Sequence, residues 1–165
     1  MKVLRWLDEH LEATLTAALL AAIVFFIIAQ IFMRYVVGNS LSWTEETVLW
    51  AFVWFIWIGI SYAFKEKRHV SVTVFVSFLP RSLKMSLEIL LDLLIIAFFI
   101  TLIWQSYKLI TLPYVWSQTS VVLDMPIALL YSSAPVGASL SVYRIGQNLW
   151  RNIVVIRTEK QQLTF

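Results

Sequence analysis

Cysteine is absent from this chain, which excludes disulfides, thiolate metal sites and a cysteine nucleophile. Charge is scarce: 14% of the 165 residues are Asp, Glu, Lys or Arg, against 60% hydrophobic, and there are only 4 Gly and 4 Pro. That balance lies far outside the range of a soluble domain of this length. A strong excess of one sign is missing too, since the formal charge is +3, so there is no argument for a nucleic-acid partner. In abundance are eight Trp, six Tyr and eleven Phe, the first two being favoured where a bilayer meets water. The composition is that of an all-α integral membrane protein.

A hydrocarbon core of about 30 Å needs about 20 mostly apolar residues in a helix. Four stretches qualify as transmembrane helices, at residues 13–35, 43–64, 83–112 and 126–150. The first ends at Arg34 and Tyr35, the second at the charge cluster KEKRH, and the third at Pro113. The fourth opens with Pro126 in a first helical turn and contains Pro135, which should bend it by removing a backbone donor. The first run is too long for a cleaved signal, and Asp8, Glu9 and Glu12 crowd the region where a signal is basic, so it is predicted to be retained.

Basic residues assign the sides. Lys2, Arg5, Lys65, Lys67, Arg68, Arg81, Lys84, Arg144, Arg151, Arg157 and Lys160 fall on one side, against Arg34 and Lys108 on the other. The positive-inside rule then places both termini and the second connection in the cytoplasm, with GNSLSWTEE facing outward. Residues 70–80 alternate Val with Ser and Thr, but an isolated strand at a membrane leaves its backbone unpaired. A short interfacial helical segment is the reading adopted.

The spans lack the polar groups that membrane transport and cofactor binding require. No acid or base interrupts the first run from 13 to Arg34, the second between Glu46 and Lys65, or the fourth before Arg144. Only the third carries Glu88, Asp92 and Lys108, and Lys84, Glu88 and Asp92 form an i, i+4 ladder suited to an interfacial charged face. His10 and His69 lie outside the spans, which excludes a haem subunit, and neither a metal site nor any other cofactor is predicted. A small multidrug antiporter needs an acid within its first span, where this chain has Gln30. The chain is not read as an enzyme.

What remains is helix surface. On the second span Trp43, Trp50, Trp54 and Trp57 cluster within an arc of about 60° at 100° per residue, with Glu46 at the border. Glu45 falls on the other side with Leu49, Phe52, Ile56, Gly59 and Ala63, so the two adjacent carboxylates address different neighbours. Ser42 and Glu45 fit the capping box that opens a helix. Ser133, Gly137 and Ser141 recur at every fourth residue of the last span, as Gly59 and Ala63 do on the second, giving small faces for close helix approach.

The stretch RYVVGNSLSWTEE, followed by LWAFVWFIWIGISYAFKEKRHVSV and later by MPIALLYSSAPVGASL, resembles the small membrane subunit of TRAP (tripartite ATP-independent periplasmic) transporters. Arg34, Tyr35, Trp43, Glu45, Glu46, Gly59, Arg68, His69, Val70 and Val72 carry the likeness, with Pro126, Tyr131, Pro135 and Gly137 in the last helix; Thr73 stands where the family often has an acid. The resemblance implies a multi-pass subunit of the bacterial inner membrane, paired with a large permease subunit that holds the substrate and sodium sites. It implies elevator-like, sodium-driven import of an organic acid, such as a C4-dicarboxylate or a sialic acid, delivered by a periplasmic binding protein. Arg34, Trp43, Glu45, Glu46, Trp50, Trp54, Trp57, Arg68 and His69 then become candidates for contact with the partner, the scaffold or bound membrane lipids. The alternative is a self-sufficient four-helix transporter acting as a homo-oligomer.

Overall fold

A computed structural model describes the backbone of residues 2–66 and 81–162, with side-chain surroundings for 10–66, 87 and 89–150. Arg68, His69 and the interfacial segment predicted at 70–80 lie outside the described residues, as do the side chains of Lys84 and Glu88. Six α-helices are described: α1 Lys2–Phe32, α2 Ser42–Lys65, α3 Arg81–Ile110, α4 Pro113–Ser117, α5 Ile127–Tyr131 and α6 Ser133–Gln162. Among the described residues, three helical stretches are long and apolar enough to cross a membrane: His10–Val37, Ser42–Lys65 and Ile89–Ile110. They correspond to the first three predicted spans. The fourth, predicted at 126–150, is not among them.

The face of α1 turned inward follows a repeat of 4 and 3 residues, the spacing of left-handed helix pairs. Glu12 and Ile23 are buried on it, and Thr16, Leu19, Phe26 and Gln30 are half-buried. This seam packs on α2; α2 and α3 in turn flank α6. The core between α2, α3 and α6 consists of Phe64, Phe99, Ala138 and Ile145, with Trp57, Ile60, Ile95, Ile96, Leu102, Ile103 and Val142 packed around it. Phe64 meets Phe99 edge to face at 5.5 Å between ring centres, the geometry the ring quadrupoles favour.

Three local features differ from the sequence expectation. Helix α1 does not stop at Arg34 and Tyr35 but continues into a π-helical turn, Met33–Val37, closed by Gly38 at φ 74°, whose N–H donates to the Met33 carbonyl. The capping box at the start of α2 is absent. Ser42 is already helical, Leu41 occupies the cap position without a side-chain bond, and Thr44 Oγ1 donates to the Leu41 carbonyl at 2.6 Å. Glu45 is drawn away from the backbone by a side-chain partner on α1, described below. Finally, the predicted 126–150 helix is two helices, with Pro126 before α5 rather than in its first turn and an interruption at Ser132. Pro135 has no N–H to give the Tyr131 carbonyl, and the break falls at that missing bond.

Candidate functional site

Three carboxylates, those of Glu12, Glu45 and Glu46, are held by contacts within the chain. Toward one end of the helices, Glu12 on α1 is 1% exposed and Arg144 on α6 is 5% exposed. Arg144 Nε donates to Oε1 of Glu12 at 2.8 Å and to Oε2 at 3.0 Å. The Ser61 hydroxyl, from α2, donates to the same Oε1 at 2.9 Å, and Arg144 Nη1 donates to Oε1 of Gln147 at 2.8 Å. One turn further, Asn148 Nδ2 donates to the Phe64 carbonyl at 2.8 Å. A buried ion pair is tolerated only when such extra hydrogen bonds satisfy both ions. This clasp ties three helices together and was not singled out from sequence. Opposite charges near the same predicted membrane face, Glu12 opening the first span and Arg144 closing the fourth, were the signal available.

At the other end of α2 the adjacent acids diverge. Glu45 accepts a hydrogen bond from Gln30 Nε2 on α1. Glu46 Oε2 accepts from the backbone N–H groups of Val122 and Leu123, both at 2.9 Å. Those amides belong to a tight hairpin between α4 and α5, in which Ser120 N–H donates to the Met125 carbonyl, Ile127 N–H donates to that of Gln118, and Thr119 pairs with Pro126. Asp124 there adopts φ 52°, a region that short Asx side chains tolerate best after glycine. Val121, at the tip, is 94% exposed.

Two of the four tryptophans, Trp50 and Trp57, line two adjoining clefts. One of about 320 Å³ is lined by Glu46, Trp50, Val53, Ser120 and Tyr131 among others. The second, about 220 Å³, is lined by Val53, Trp57, Ser106 and Ser133 among others. Trp54 is half-buried, while Trp43 is 43% exposed and meets the Phe26 ring edge-on at 5.9 Å. Arg34 is exposed beside the Tyr35 ring.

The small-residue positions separate into two kinds. Ser133 and Ser141 are buried and return their hydroxyls to the carbonyls of Leu130 and Gly137. At Gly137 a Cβ would lie 2.6 Å from Trp57 Cβ and 2.8 Å from its carbonyl oxygen, so α6 approaches the backbone of α2 directly. Gly59 has open space around it and Ala63 is exposed, on the face of α2 that also exposes Leu49, Phe52 and Ile56. Among the described residues no three of His, Asp and Glu gather in a group that could hold a metal ion.

Comparison with known proteins agrees with this picture of a helical membrane subunit. The chain is 29% identical over 153 residues to the isethionate TRAP transporter permease protein DctMQ of Oleidesulfovibrio alaskensis, covering 89% of this chain but 24% of that longer protein. It is 26% identical over 149 residues to the sialic acid TRAP transporter small permease protein SiaQ of Vibrio cholerae, covering 87% of this chain and 82% of the relative. To the C4-dicarboxylate TRAP transporter small permease protein DctQ of the same organism it is 22% identical over 167 residues, covering 88% and 72%. Residues 23–155 match the family described as tripartite ATP-independent periplasmic transporters, DctQ component. The chain belongs to that family: it is a TRAP transporter small permease (Q) subunit and not an enzyme.

Proposed function

We propose that this chain is the noncatalytic partner of a large permease subunit in sodium-driven import of an organic acid, bracing the immobile scaffold while a periplasmic binding protein delivers the solute. The observation that carries the reading is the match to 24% of a single DctMQ permease protein, where the counterpart of this chain is one part of a longer permease. The site geometry supports it. Glu12, Glu45 and Glu46 each close a contact within the chain, an arrangement that builds scaffold rather than an ion-coupling centre. The solutes named for the relatives are isethionate, sialic acid and C4-dicarboxylate; all are organic acids, and the solute here belongs to that class. Residence in the bacterial inner membrane, four crossings and cytoplasmic termini complete the proposal.

The outward face of α2 around Gly59 is one part of the proposed partner surface that this chain leaves uncovered, with Arg34 and Trp43, whereas Glu46 acts on a partner through the hairpin it holds. Proteoliposomes under an inward sodium gradient test the function. Uptake of the three named solutes is expected only when this chain is reconstituted with the large subunit and the binding protein. Uptake by this chain alone would overturn the reading in favour of a self-sufficient transporter.

A further inference from the structure

Helix α6 is poorly equipped to enter a membrane by itself. It is not among the stretches apolar enough to cross, and Ser133, Gly137, Ser139 and Ser141 precede Arg144 along it. Insertion into lipid is driven by large apolar side chains and opposed by arginine. Nevertheless α6 is packed between α2 and α3, with Ala138 and Ile145 in the core.

Its polar groups are met by α1 and α2, the first two helices described. The Arg144 guanidinium finds the Glu12 carboxylate, which Ser61 also contacts. The Asn148 amide finds the Phe64 carbonyl, and Gly137 lets the backbone of Trp57 approach. We infer that Glu12 and Ser61 form a receiving site for Arg144, and that α6 crosses the membrane only as the guest of α1 and α2. The ion pair then does for the last crossing what apolar side chains do for the first three. This inference rests on the four-crossing reading above, and the experiment separates the two.

The full chain lacks cysteine, so Val121→Cys, at a position 94% exposed, gives a single reporter for an impermeant maleimide added outside the cell. A C-terminal fusion to alkaline phosphatase or to green fluorescent protein reports the side reached after α6. With Glu12 intact, the two reporters are expected on opposite sides. With Glu12→Ala, the share of molecules carrying both on one side is expected to rise about tenfold, less than the full penalty of a mid-span arginine because Arg144 lies toward the end of the span predicted at 126–150. Adding Arg144→Met to Glu12→Ala should restore the native distribution.

Reporters on one side in the native chain would overturn both the crossing and the inference. A native distribution in Glu12→Ala overturns the inference and leaves the crossing standing. A defect that Arg144→Met does not cure also overturns it, and degradation counts as a defect in the same way.

Discussion

Replacing Gly137 by alanine adds one carbon at the closest approach between α2 and α6. In a helix interior the change normally stabilises by about 0.5–1 kcal/mol, because glycine loses more backbone freedom on folding. Here the new Cβ would stand 2.6 Å from Trp57 Cβ, 2.8 Å from its carbonyl oxygen and 2.9 Å from its carbonyl carbon. Carbon atoms settle at about 3.5–4.0 Å, so the helices must part by about 1 Å. No side-chain rotation relieves the contact, since two of the three atoms are backbone. Arg144 lies seven residues further along α6, about 10 Å up the axis, so the displacement also stretches the clasp with Glu12.

Overpacking of this kind costs about 1–3 kcal/mol, and contact with rigid backbone puts it at the upper end. After the helix gain, the net loss is about 2 kcal/mol, a factor of about 30 in the folding equilibrium. Reversible unfolding in mixed micelles, followed by tryptophan fluorescence, measures it. The controls are Gly59→Ala and Gly146→Ala, where a Cβ meets nothing within 4 Å; these should be neutral or slightly more stable. Equal stability of Gly137→Ala and Gly146→Ala would refute the close-approach reasoning.

Two further outcomes follow from the loops. Glu46→Ala removes the acceptor for the Val122 and Leu123 amides, so hydrogen exchange at these two amides should quicken several-fold while Glu45→Ala leaves them unchanged; the same exchange in both variants counts against Glu46 as the hairpin's anchor. Gly38→Ala forces a Cβ into φ 74°, costing about 1–2 kcal/mol. Gly38→Asn should cost less because Asn tolerates that region, and micelle unfolding that ranks Ala above Asn contradicts it.

Local periodicity made much of the fold readable. The first three apolar runs became helices because an apolar stretch of that length has few other conformations in lipid. Glu45 and Glu46 part company because 100° of helical rotation separates consecutive residues, and their partners, Gln30 and the 122–123 amides, lie on different sides of α2. The misses are of another kind. The S-x-x-E pattern at Ser42 is satisfied by sequence alone, but a capping box needs Glu45 to turn back, and Gln30 offers it a partner across the helix pair. The break at Ser132 follows from Pro135 by a rule that places the lost bond four residues upstream, yet whether a helix bends or divides depends on its packing. The clasp was invisible to windowed reading because Glu12 and Arg144 are 132 residues apart, and acids carry little weight in assigning membrane sides. The pairing of α6 with α2 and α3 sets their distance, and nothing local encodes it.

The clasp also sets a clock on biosynthesis. Glu12 leaves the ribosome 132 residues before Arg144, an interval of about 7–26 s at ordinary elongation rates of about 5–20 residues per second. Throughout that interval a carboxylate that ends 1% exposed cannot meet Arg144. It must stay hydrated or be borrowed by another group until Arg144 emerges. The clasp thus closes no earlier than the synthesis of Arg144, and conditions that slow the ribosome between Glu12 and Arg144 lengthen the exposure of an acid that ends 1% exposed.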